Sequence, residues 1–136
     1  MTAKVKKACA VLLAFLLASS AALHIYWAFG GSAFLATALN MDVDRLPSDL
    51  VWFTWVLIAG MALYVWVALA RVELAPTIFN QWVHAALLWF LVGSALLGAG
   101  LNALGSRFLD RWIFAPIFLI LAALATLLAL PDPETE

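Results

Sequence analysis

Charge is scarce in this chain. Only 11% of its 136 residues are Asp, Glu, Lys or Arg, and the net charge is −1. A water-soluble domain carries about a quarter charged residues, so these are too few to cover a surface facing water. With the net charge so close to neutral, nothing points to a nucleic-acid partner. There is one cysteine, Cys9, so an intrachain disulfide and a CxxC redox pair are excluded. Cys9 precedes the first apolar run, unlike the cleavage-site cysteine of a lipoprotein, and it is expected to pack as a small apolar residue. Histidine occurs twice, at His24 and His84, too sparsely for a desaturase-type histidine box. Phosphate loops and nucleophile elbows are missing as well. No long apolar stretch holds an acidic residue in its interior; every Asp and Glu falls at or beyond a stretch end.

What is present is hydrocarbon and indole: 67% of the chain is apolar and seven residues are tryptophan. A hydrocarbon core about 30 Å thick takes about 20 helical residues to cross. Four stretches meet that length, at residues 8–29, 50–70, 81–104 and 112–130. The expected fold is an all-α membrane protein, one transmembrane domain of four helices in an up-down bundle. Trp27, Trp52, Trp55, Trp66, Trp82 and Trp112 fall near the ends of these spans, where an indole keeps its ring in the hydrocarbon boundary and its N–H in water. Trp89 alone lies well inside one.

Lys4, Lys6 and Lys7 before an apolar run and small residues also fit a signal peptide. Cleavage near Ala21 would strip the remaining three spans of their basic start, so a retained first helix is expected. Basic residues stay cytoplasmic and the first helix usually dominates, which puts both termini on the cytoplasmic side of the membrane. The bias is slight, with Lys4, Lys6, Lys7 and Arg71 inside against Arg45, Arg107 and Arg111 outside. Dual insertion with antiparallel self-pairing is therefore the competing topology.

In the long outer connection, residues 32–39 are apolar enough for a short helix on the membrane surface. "LPSDL" marks a break at Pro47 and a cap at Ser48 or Asp49. The acidic tail 131–136 is expected to be disordered. An internal echo pairs Trp27, Gly31, Ser32, Ala33, Leu35, Leu39 and Asn40 with Trp89, Gly93, Ser94, Ala95, Leu97, Leu101 and Asn102. It raises a duplicated helix pair, which chance matches among common residues equally explain.

Polar residues within the spans carry the functional information, because they face a bundle interior. His24 and His84 each lie roughly 6 to 9 Å from opposite boundaries by the helical rise, about 15 Å too far apart in depth to share a metal or haem. No metal or cofactor is implied. Ser20, His24 and Trp27 follow one face of the first helix; His84, Leu91, Gly98 and Asn102 follow one face of the third. Asn102 lies level with His24, so the two are candidates to face each other. Ser94 and Gly98 are small residues spaced for close helix packing. Asp42, Asp44, Asp49, Arg107, Asp110 and Arg111 would surround an outer vestibule above them. Solvated loop charges are the blander account of those six, and "DVD" has no calcium-loop pattern around it. For His24 the blander account is an interfacial histidine bonded to Ser20 or a neighbouring helix; for His84 and Asn102 it is helix-packing hydrogen bonds.

"HIYWAFGG", residues 24–31, matches the His-x-Tyr-Trp-Ala-x-Gly-Gly signature of a family of small bacterial four-helix membrane proteins known only as a domain of unknown function, which the chain resembles. "RFLDRWIFAP", residues 107–116, is similar to that family's pattern leading into its fourth helix. The chain departs at "GAGLNALG", where the family has Arg-Ala-x-Gly-Asp. The resemblance implies a four-helix fold and directs attention to His24, Tyr26, Trp27, Gly30, Gly31, Asp110 and Pro116. It implies no activity.

The expected function is binding of a small apolar or amphipathic molecule or lipid in an outward-facing pocket formed by His24, Trp27, Asn102, Ser20, Trp52, Trp55 and Asp110. Service as an accessory subunit of a larger membrane complex, or as a homo-oligomer, ranks beside it. A small-molecule transporter ranks lower, lacking an intramembrane carboxylate to exchange protons. An isomerase-like membrane enzyme ranks last, because acid–base chemistry wants two placed titratable groups and only His24 qualifies, with Asp110 a helper.

Overall fold

The computed structural model describes residues 1–39 and 42–131. Asn40 of the internal echo and residues 132–136 of the acidic tail lie outside the described residues. Among the described residues five α-helices follow in order: α1 Ala3–Ala28, α2 Leu35–Leu39, α3 Ser48–Ala70, α4 Gln81–Ala103 and α5 Ala115–Ala129, the last entered through a wide turn, Asp110–Phe114. No strand occurs among the described residues. Four helical segments, with Asp110–Ala129 taken as one, are long and apolar enough to cross a membrane.

The helix ends differ from expectation for local reasons. α1 starts at Ala3, before the lysines and not after them. Thr2 supplies the cap: its Oγ1 accepts from the Val5 N–H at 3.4 Å and its carbonyl from the Lys6 N–H at 3.1 Å. Lysine is a good helix former, so the basic segment continues the span. α3 begins at Ser48, with the Pro47 carbonyl accepting the Leu50 N–H at 2.9 Å. In the wide turn the Ala115 N–H reaches back five residues to the Asp110 carbonyl. Pro116 follows at once and has no N–H to lose, so the helix widens there without forfeiting a bond at that position.

Two helices close in the same way. At the end of α1, Gly31 N–H bonds the Tyr26 carbonyl and Gly30 N–H the Trp27 carbonyl, both at 2.9 Å, with Gly30 at φ +91°. At the end of α3, Leu74 N–H bonds the Leu69 carbonyl at 2.9 Å and Glu73 N–H the Ala70 carbonyl at 3.2 Å, with Glu73 at φ +61°. Both are Schellman closures, and the second places a side chain where glycine is the ordinary occupant.

The chain packs as two compact units, Met1–Leu16 with the chain from Tyr64 onward, and Leu17–Leu63. In the first, α4 packs along α5. Their buried faces are built largely from small residues, Ala95 and Ala99 on α4 and Ala115, Ala122, Ala125 and Ala129 on α5. Gly98 meets the Phe118 ring so closely that a Cβ would sit 2.9 Å from two of its carbons. Ser94, expected beside Gly98 in the contact, is exposed and donates to the Phe90 carbonyl at 2.9 Å. In the second unit Leu35 of α2 is fully buried, and Trp27 and Thr54 are buried. Large apolar side chains such as Phe15, Phe90, Leu97 and Leu119 stay exposed, a surface suited to lipid tails. The internal echo does not extend to local structure, since Gly31 lies past a helix end and Gly93 inside α4.

Replacing Gly98 with Leu is expected to force Phe118 out of place and to lower stability by about 1–3 kcal/mol. Glu73→Gly is expected to raise it by about 1 kcal/mol by relieving the left-handed backbone. Thermal unfolding in detergent measures both, and an unshifted midpoint for Gly98→Leu would mean the α4–α5 contact tolerates the added volume.

Candidate functional site

In the first unit a cleft of about 660 Å³ opens where α3 ends, α4 begins and α5 finishes. Its walls include Arg71 and Glu73 after α3, Phe79 in the connection, Trp82 and His84 on the first turn of α4, and Ala129 on α5.

The site begins with a helix cap. Asn80, in an extended conformation, accepts the Val83 N–H on its side-chain oxygen at 3.0 Å and the His84 N–H on its carbonyl at 3.1 Å. That carbonyl also stands 3.1 Å from His84 Nδ1. A carbonyl can only accept, so this bond requires the hydrogen on Nδ1 and leaves Nε2 with its lone pair. His84 is 4% exposed, and Nε2 is buried with no hydrogen-bond partner among the described residues. Aromatic rings flank it instead. Trp66 and Phe79 each have centroids 6.0 Å from the imidazole and stand edge-on to one another at 5.4 Å.

Arg71 braces the part of the wall where α5 ends. Its Nε donates to the Leu128 carbonyl at 3.1 Å and its Nη2 to the Leu130 carbonyl at 3.3 Å. These are carbonyls from the last turn of α5 and just beyond it, where a cation complements the helix dipole. Beside it sits Glu73 in its left-handed conformation. Among the described residues no group of three His, Cys, Asp or Glu side chains converges to hold a metal ion.

The residues expected from the sequence fall in both units. In the second unit, His24 Nδ1 donates to the Ser20 carbonyl at 2.8 Å, so Ser20 contributes backbone and not its hydroxyl. The His24 and Trp27 rings lie 4.9 Å apart, tilted by 58°. Trp27 Nε1 donates to the Ala33 carbonyl at 2.7 Å, pinning the chain that follows α1. Tyr26 lays its ring across Gly31, where any Cβ would overlap it. Trp55 stands edge-on to Phe29 at 6.1 Å, Trp52 edge-on to Phe53 at 5.9 Å, and both indoles are exposed.

In the first unit, Asn102 Nδ2 donates to the Gly98 carbonyl of its own helix at 2.8 Å. Asp110 packs against Gly105, whose carbonyl accepts from Arg111 Nη2 at 3.3 Å.

His84 was legible as a polar residue, and its Nδ1 does make a hydrogen bond within its own helix cap. Its bare second nitrogen was not legible, nor was the placing of Trp66 and Phe79 beside its ring in a cleft that Arg71 and Glu73 also line. One signal was present: Asn80 and His84 are four apart at a helix start, with Trp66, Phe79 and Trp82 all close to the inner connection.

Arg71→Met is expected to release the end of α5, lowering stability by about 1 kcal/mol and speeding amide exchange in its last turn, as read by hydrogen-exchange mass spectrometry. No protein-family model, curated protein or solved structure matches the chain.

Proposed function

We propose that this chain is a multi-pass protein of a bacterial inner membrane, both termini cytoplasmic, that binds a small amphipathic molecule or lipid and does no chemistry on it. The observation that carries the reading is His84 Nε2, a buried acceptor without a described partner in a residue that walls an aromatic cleft. Ligand pockets characteristically combine apolar walls with a few placed polar atoms. A buried acceptor supports recognition better than acid–base catalysis, which needs a second placed group, and Glu73, the carboxylate on the cleft wall, is exposed.

The proposed topology follows from Lys4, Lys6 and Lys7 preceding the first long apolar run, and it puts Arg71 and the cleft on the cytoplasmic side. The sequence alone pointed to an outward pocket on His24. His24 bonds the Ser20 carbonyl much as His84 bonds that of Asn80, but His24 is only part-buried, whereas His84 holds a buried nitrogen without a described partner, and that favours the cleft at His84. The accessory-subunit reading draws support from exposed Phe90 and Leu97 on α4, faces that a larger assembly would cover. The proposed kinship with the His-x-Tyr-Trp-Ala-x-Gly-Gly family is supported by a physical use for the motif: the glycine pair closes α1 and makes room for Tyr26.

Native mass spectrometry of protein released from its own membranes tests the binding reading. A co-purifying mass is expected on the wild type and on His24→Ala, and its loss on His84→Phe. A mass that follows His24 returns the site to the outer leaflet, and one indifferent to both substitutions overturns the cleft.

A further inference from the structure

We propose that the ligand's polar end is an uncharged hydroxyl, donated to His84 Nε2, on an aliphatic body lying along the aromatic wall. The proposal rests on the reading of the cleft as a binding site and specifies the chemistry of what enters it.

The direction of the hydrogen bond is fixed by the α4 cap. Since Nδ1 donates to the Asn80 carbonyl, Nε2 can only accept as long as the imidazole is neutral. The occupant must therefore bring a donor. The Asn80 carbonyl is engaged by both His84 Nδ1 and the His84 N–H, and the Asn80 side chain by Val83, so the cap holds the tautomer in place. A buried acceptor without a partner is costly, and an occupant that satisfies it offsets that cost.

The charge of the head group follows from Arg71. A carboxylate would set its own lone pairs against Nε2, and to pair with Arg71 it would compete with the Leu128 and Leu130 carbonyls that the guanidinium already holds. An ammonium head could also donate to Nε2, but Arg71 and Glu73 on the cleft wall already balance one another in charge, so it would add an uncompensated positive charge. An uncharged O–H meets neither objection. The body of the ligand is set by Trp82, Phe79, Ala85 and Ala129, which offer aromatic and methyl surface. Nε2 has almost no accessible surface, so the head group reaches it by displacing a neighbouring ring. Phe79 is the one placed to move, standing in the connection and not on a helix.

Three probes of equal chain length separate a hydroxyl from an acceptor-only head and from an anionic one: 1-dodecanol, dodecyl methyl ether and sodium dodecanoate, titrated into the full chain in nanodiscs. Tryptophan fluorescence reads binding, and the ¹⁵N resonance of His84 Nε2 reads the hydrogen bond. On the wild type, dodecanol is expected to bind at least about tenfold more tightly than the ether and to shift the Nε2 resonance, with dodecanoate no tighter than the ether. On His84→Phe the alcohol and the ether should become equal. Ether or dodecanoate binding as tightly as dodecanol to the wild type, or an unmoved Nε2 resonance with dodecanol bound, overturns the hydroxyl proposal while leaving the cleft as a binding site. Failure of all three to bind, or binding with the alcohol's preference intact on His84→Phe, overturns the cleft itself. The wild-type comparison stands even if the variant does not fold.

Discussion

A backbone or side-chain polar group in hydrocarbon has no water to turn to, and its partner must come from the protein. In this chain the solution is local and repeated. His24 bonds the Ser20 carbonyl, Thr54 that of Leu50, His84 that of Asn80, Ser94 that of Phe90, Asn102 that of Gly98 and Thr126 that of Ala122. Each partner is four residues back on the same helix or its cap. Helix ends follow the same rule, through the Asn80 cap and the two Schellman closures. Polar residues that read as candidate helix-to-helix links thus have a shorter-range use.

This habit sets His84 apart. One bond to a local carbonyl satisfies an Asn102 donor or a Trp27 indole, but an imidazole has two nitrogens and the local carbonyl serves only one. His84 is buried deeply enough that the second has no water either. The same cap that anchors α4 fixes which nitrogen is left. Arg71, also on the cleft wall, links the end of α3 to the end of α5, where its charge complements a helix terminus. Folding requirements and the character of the site are therefore one set of interactions.

The sequence was informative where the physics is local or averaged over many residues. Span number and approximate limits follow from hydrophobic length, and the close of α1 follows from Gly30 and Gly31. Limits shifted where a single cap decides: Thr2 starts α1 ahead of its lysines, and Pro116 allows a wide turn ahead of α5. The role of Glu73 was hidden because a glutamate gives no sign that its backbone will turn left-handed. Among the polar candidates, His24 and His84 looked alike as lone histidines on apolar faces. Burial and the company of Trp66 and Phe79 separate them, and both depend on residues far away in the chain.

By itself the sequence determined the elements: so few charges and such long apolar runs give helices long and apolar enough to cross a bilayer, because hydrophobic length adds up residue by residue, almost independently of neighbours. Tertiary structure alone decided which faces of those helices meet and what they enclose. Close approach of α4 to α5 depends on alanines and on Gly98 lying opposite Phe118. The bare nitrogen of His84 depends on what surrounds it on every side. Contacts of that kind belong to pairs and triples of distant residues, and no property of a single position encodes them.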